Sequence, residues 1–453
     1  MNFFDDIEYN SDDYFKYDDM QGYNSESTEE KINQLCDEGN FEDALTLVDV
    51  ALNHSPFSAD LFHKKALILD GLGKYDQSLT YYDKAISLNP NDYEVYINKG
   101  ISLDSQGNYD AAIMCYNLAL NIESKNSEAY FNKGISFERC DDFEKAIDCF
   151  KKCIEINSEH ADAYYELGYC YDFLEDLFSS VESYEKHIEL NPFNSNAWYN
   201  LGIVLSRQGK FMKAIECYEY ALNIRINFAS AYYNCGNSYA SLGMFQKSIE
   251  YYLRSCELNP KDSYSYHNIA NSYFELDNFS EAIPYFRKAL KLNSESFDSY
   301  FGLGSCFYNM NQYETALDFF KKGLEINSHH TQLWYSRADT EYAMNLLEEA
   351  NASYEKVLEL EPDNFEAIFD RGCLQLDTYL FDEALSSFNR VIELKPDWTE
   401  VYYEKAKLYF LLEDMDKAVE TIEKAFTIKP EDRVDYNLEN DWDKIIEFLV
   451  NRQ

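Results

Sequence analysis

Cys149 and Cys153 stand four residues apart, a spacing that puts two thiols on one helical face where they can share a metal ion, and Cys140 is nearby. His329 and His330 are adjacent, while His54, His63, His160, His187 and His267 are dispersed. No P-loop, GxGxxG turn, HExxH or GxSxG pattern occurs. A third kind of candidate is amide chemistry. Asn98 and Asn132 are 34 residues apart, and Asn200, Asn234 and Asn268 keep the same interval. An asparagine amide both donates and accepts, so a row of them can pair with an extended peptide backbone without reading its side chains. Each such bond contributes about 0.5–1.5 kcal/mol net, so affinity must come from several together.

The interval belongs to nearly the whole chain. Residues 25–432 divide into twelve copies of 34 residues, beginning at 25, 59, 93, 127, 161, 195, 229, 263, 297, 331, 365 and 399, with no insertion or deletion. Position 4 is aromatic in ten copies, among them Phe62, Tyr96, Trp198, Trp334 and Tyr402. Position 8 is Gly or Ala in eleven, position 20 is Ala or Ser in all twelve, position 24 is Tyr or Phe in ten, and position 32 is Pro in seven. Apolar residues at 4, 8 and 11 fall on one helical face, so each copy predicts two antiparallel helices, A over positions 1–14 and B over about 18–31. Small residues at 8 and 20 let the helices cross closely. Gly at position 15 (Gly39, Gly73, Gly107, Gly209 and Gly243), with Asn311 and Asn345, supplies a left-handed end to helix A. Pro at 32 stops helix B.

This register resembles the tetratricopeptide repeat family over 408 of 453 residues. The resemblance implies an all-α right-handed superhelical solenoid whose A helices line a concave groove for ligand peptides. The inner positions it implies are 2, 5, 6, 9, 12 and 13. The asparagines at position 6 form a ladder similar to one in the repeat superhelix of O-linked N-acetylglucosamine transferase, whose catalytic domain has no counterpart here. The candidate peptide-binding residues are Asn98, Asn132, Tyr199, Asn200, Arg207, Tyr233, Asn234, Asn237, His267, Asn268 and Asn271. Groove positions before and after residues 195–296 are rich in Asp and Glu, so this middle is a near-neutral amide and aromatic patch. The same asparagines can instead hydrogen-bond along the scaffold. Lys at position 5 and a base at position 2 are absent from every copy, which argues against the family's carboxylate clamp.

The repeat register also weighs the other candidates. Cys149 shares position 23 with Cys115 and Cys217, and Cys153 replaces a small residue at 27, so buried packing explains them better than a metal. His329–His330 falls in an inter-repeat turn. Bases at position 7 (Lys65, Lys99, Lys133, Arg337, Arg371, Lys405) either meet an acidic partner or pair with neighbouring acids. Glu341 and Gln375 occupy the normally apolar position 11, where looser packing is expected, and Pro284 falls inside a B helix.

Asp+Glu total 82 against 39 Lys+Arg, a net charge of −43, which disfavours nucleic acid and anionic membranes and favours neutral to basic protein or peptide partners. No run of 18 apolar residues is present, and MNFFDDIEYN carries no basic or apolar leader, so no membrane insertion or export is expected. Eleven scattered cysteines then suggest reduced thiols in the cytoplasm. Residues 1–24 read as an acidic, aromatic-rich disordered tail, and 433–453 as a cap helix built on Leu438, Trp442, Ile445 and Leu449. The expected function is a non-catalytic scaffold or adaptor, without cofactor or metal, that binds extended polypeptide. Two alternatives are a self-assembling structural or oligomeric spacer and an adaptor autoinhibited by its own N-terminal tail. The oligomeric state and the partner's identity are not written in the sequence.

Overall fold

The computed structural model describes residues 25–430. The expected tail at 1–24 and cap helix at 433–453 lie outside the described residues. The described chain is all helix and turn, and it forms two compact units divided between Ile224 and Arg225. The first unit contains α1 (Ser25–Asp37), α2 (Phe41–His54), α3 (Ala59–Gly71), α4 (Tyr75–Leu88), α5 (Tyr93–Ser105), α6 (Tyr109–Ile122), α7 (Ser127–Arg139), α8 (Phe143–Ile156), α9 (Ala161–Phe173), α10 (Leu177–Leu190), α11 (Ser195–Arg207) and α12 (Phe211–Ile224). The second contains α13 (Ala229–Ser241), α14 (Phe245–Leu258), α15 (Ser263–Phe274), α16 (Phe279–Leu292), α17 (Phe297–Asn309), α18 (Tyr313–Ile326), α19 (Thr331–Ala343), α20 (Leu347–Leu360), α21 (Phe365–Asp377), α22 (Phe381–Leu394), α23 (Thr399–Leu411) and α24 (Met415–Ile428). Each odd-numbered helix packs on the even-numbered helix after it, and α16 runs through Pro284 as one helix.

Local chemistry sets these boundaries. The residue at position 15 is left-handed in every helix pair, and glycine is only part of the reason. Alongside the five glycines and the two expected asparagines, Asp141, Glu175, Asp277, Tyr379 and Glu413 have φ of 57–62°. The next amide always reaches back five residues, as in Asn108 N to Leu103 O at 2.9 Å and Leu380 N to Gln375 O at 2.8 Å. That bond satisfies a carbonyl the helix leaves unpaired. The following odd helix is usually capped by a side chain. Asn126, Asn194, Asp262, Ser296 and Asn364 accept from its first free amides, and so do the Nδ1 atoms of His160 and His330. The second histidine of the adjacent pair is therefore a helix cap.

The core repeats with the same period. The ring at position 24 packs against the small residue at position 8 of the same pair. A Cβ built on Gly134 would come 2.5 Å from Phe150, and one on Gly202 would come 2.5 Å from Tyr218. Cys149 and Cys153 are buried in this packing, and burial pushes their thiols up to about 11 and 12. They are protonated, hydrophobe-like side chains at neutral pH. All eleven cysteines are free.

Glu341 and Gln375 depart from the looser packing expected of them. Glu341 is 1% exposed and Gln375 5%. Arg337 Nε donates to Glu341 Oε1 at 2.7 Å and Ser353 Oγ to Oε2 at 2.6 Å. Ser387 Oγ donates to Gln375 Oε1 at 2.8 Å. In both pairs a serine at position 23 answers the polar residue at position 11, so no buried acceptor is stranded.

Candidate functional site

The candidate residues lie on the odd-numbered helices, and their amides follow one rule. At position 6, Nδ2 reaches back 35 residues to the side chain at position 5 of the preceding pair. Asn98 donates to His63 Nε2 at 2.9 Å, Asn200 to the Tyr165 hydroxyl at 3.0 Å, and Asn268 to the Tyr233 hydroxyl at 3.2 Å. Burial keeps His63 below the usual histidine range, so its Nε2 is free to accept. Asn132 faces Ile97 at the matching place, which offers no acceptor, and among the described residues its side chain has no hydrogen-bond partner. The amide nitrogens of Asn98, Asn200 and Asn268 thus tie neighbouring pairs together, while their side-chain oxygens have no protein partner among the described residues.

In the second unit several candidates converge on one cavity of about 310 Å³. Asn237, Asn268 and Asn271 line it with Tyr252, Ser272 and Glu275. Asn237 Oδ1 accepts from the Tyr252 hydroxyl at 2.7 Å and from Asn268 Nδ2 at 3.0 Å. Beside it, Asn271 Nδ2 donates to His267 Nε2 at 2.9 Å, and His267 Nδ1 donates to Ser299 Oγ at 2.9 Å. Burial lowers the His267 pKa, consistent with this neutral relay. Asn234 lies on α13 and is half-buried, and the Tyr233 ring packs on Tyr252 at 5.8 Å.

The remaining candidates belong to the first unit. Tyr199 packs on Tyr218 with ring centroids 6.0 Å apart. Arg207 is engaged: its guanidinium bonds the Asp172 carboxylate and sits 3.7 Å from Glu175. The bases at position 7 are engaged as well. Lys65 and Lys99 pair with Asp49 and Asp83, and Arg371 bonds Glu355 at 2.7 Å. These three tie a pair to the one before it by meeting neighbouring acids, whereas Arg337 bonds Glu341 of its own helix, Lys405 donates to Asn389 at 2.6 Å, and Lys133 lies over the Phe137 ring at 5.7 Å.

Sequence reasoning missed how phenols serve acids. The Tyr116 hydroxyl at position 24 donates to Asp104 at 2.7 Å, and Tyr82 does the same for Asp70 at 2.6 Å. Where position 24 is Phe150, Glu138 at position 12 loses that donor, and its Oε2 is buried without a partner. Burial first, and Glu138 second, push the neighbouring Glu166 up to about 8. The signal was present as a pairing of positions 12 and 24.

Among the described residues no group of three or more His, Cys, Asp or Glu is placed to hold a metal, and no helix is long and apolar enough to cross a membrane. Models described as tetratricopeptide repeat match the chain at 59–92, 127–160 and 229–262, at 81–114, 183–216 and 251–283, at 161–194 and 399–432, and at 335–397. A TPR repeat model matches 205–243, and one described as anaphase-promoting complex, cyclosome, subunit 3 matches 275–357. Among solved structures, MamA is 27% identical over 37% of this chain and 92% of its own, with a TM-score of 0.36. YrrB, described as a TPR protein with an unusual peptide-binding site, is 23% identical over 42% and 97%, with a TM-score of 0.37. The APC/C hetero-tetramer Cut9–Hcn1 is 12% identical over 94% and 96%, with a TM-score of 0.43. Curated proteins include no significant match. Repeat register, helix pairs and family matches agree: the chain is built of tetratricopeptide repeats, the fold of a protein-interaction scaffold.

Proposed function

We propose that the protein is a non-catalytic scaffold that captures extended polypeptide on the faces that odd-numbered helices form in each unit. The observation that carries this reading is the amide-lined cavity of about 310 Å³ at Asn237, Asn268 and Asn271. Its polar groups are held in place by their own hydrogen bonds, so little side-chain entropy is lost when a peptide backbone meets them. On the first unit, Asn98, Asn132 and Asn200, with the ring of Tyr199, offer the same chemistry, and Arg207 neutralises an acid beside it. Net charge −43 favours a neutral to basic partner. Eleven free thiols suit a reducing compartment, the cytoplasm.

The test is selection of a displayed random-peptide library on the full chain and on an Asn132→Ala, Asn271→Ala variant. Asn132 has no side-chain partner and Asn271 is exposed, so the variant should melt within about 0.5 kcal/mol of the parent. Selected peptides should bind it at least tenfold more weakly. Equal binding, or no enrichment on the parent chain, overturns the reading.

A further inference from the structure

A second cavity, of about 220 Å³, lies on the same face of the second unit and belongs to none of the candidate residues above. Its walls are aromatic: Phe274 from α15, Phe301 and Tyr308 from α17, and Phe320 from α18. Asp339 of α19 joins them, with Ser305 and Ser336 among the polar lining. No Lys or Arg lines it. Position 6 of this helix pair is Gly302, where a Cβ would sit 2.3 Å from the Phe286 ring, so the ladder asparagine has no room here.

Asp339 is half-buried, and its Oδ1 accepts from the Tyr354 hydroxyl at 2.7 Å. Its Oδ2 has no protein partner among the described residues. The groups around it are acidic or phenolic: Tyr308 on α17, Tyr354 on α20, Asp370 on α21, and Tyr335 on its own helix, which donates to Asp370. A carboxylate in an aromatic-walled cavity, with one oxygen unclaimed and no base lining it, complements a cation. A cavity of this size admits one side chain.

We propose that this cavity is a specificity pocket for a basic side chain, lysine or arginine, of the captured polypeptide. The ammonium or guanidinium meets Asp339 Oδ2, and the stem lies against Phe301 and Tyr308. This deepens the scaffold reading by adding side-chain selection to backbone capture. Burial, and to a lesser extent Asp370, holds the Asp339 carboxyl up at about 7. A bound cation favours the ionised form, so affinity should rise with pH across that range.

The experiment titrates the full chain with N-acetyl-lysine-methylamide and N-acetyl-arginine-methylamide, observed by saturation-transfer NMR. N-acetyl-norleucine-methylamide is the uncharged control. One of the cationic probes should bind at least tenfold more tightly than norleucine, and about five- to tenfold more tightly at pH 8 than at pH 6. Asp339→Asn should reduce it to the norleucine level, and Phe301→Leu, checked for helicity, should weaken all three probes. Equal binding of norleucine makes the occupant apolar and overturns the proposal. So does undiminished binding to the Asp339→Asn variant, or no binding of either cation. The Asn132→Ala, Asn271→Ala variant separates the two readings, because it should lose extended peptides and keep the small cation probe.

Discussion

At the scale of single residues, the molecule spends its polar side chains on one another. Asn200 and Asn268 were legible as amides on the A-helix face, but not as donors already committed, because that depends on Tyr165 and Tyr233 in the preceding pair. Asn132 shows the converse: the matching residue is Ile97, and the amide is left over. The phenol-to-acid pairing makes a sharper prediction. Phe150→Tyr should give Glu138 Oε2 the donor that Asp104 receives from Tyr116. The expected gain is about 0.5–1.5 kcal/mol in urea unfolding, with a downward shift of the Glu138 carboxyl in an NMR titration. A less stable variant would mean that the core has no space for the hydroxyl.

At the scale of elements, the helix pair was readable because its spacing is fixed by packing. A ring at 24 needs a small residue at 8, so both letters recur. The helix ends were only partly readable. Gly39 and Asn311 announce a left-handed residue; Tyr379 and Glu175 do not, and only the register places them. A bulky residue there costs about 1–2 kcal/mol against a glycine, offset partly by glycine's greater freedom when unfolded. Tyr379 is 75% exposed, and its ring meets Phe381 edge-on with centroids 5.9 Å apart, a contact open to solvent. Tyr379→Gly should therefore stabilise the second unit by up to about 1 kcal/mol in thermal unfolding. The opposite change, Gly134→Leu, drives a side chain into Phe150 and should destabilise the first unit by about 1–3 kcal/mol.

At the scale of the whole molecule, the acidic balance was legible as a number but not as an energy. Exposed acids repel one another weakly through water, whereas burial holds the carboxyls of Glu166 and Asp339 up at about 8 and about 7. In the unfolded chain both ionise near pH 4. The folded state therefore holds the extra protons between those values. The stability these two groups contribute should be fullest below about pH 4, fall as pH rises, and be gone above about 8. Each group should contribute on the order of 1–2 kcal/mol once screening is allowed for. Urea unfolding at pH 5 and pH 8 measures the slope, and Glu166→Gln with Asp339→Asn should flatten it. Added salt reduces the surface repulsion and leaves the buried part.

The backward reach of Asn98, Asn200 and Asn268 has a further consequence, for the birth of the chain. These bonds span 35 residues, and the ion pairs of Lys99 and Arg371 span 16. At ribosomal speeds of roughly 5–20 residues per second, an asparagine emerges about 2 to 7 s after its acceptor. Each helix pair can therefore be finished on the one already made, while the remainder is still being translated. A protein so rich in aromatic surface need never expose more than a short stretch of it at once.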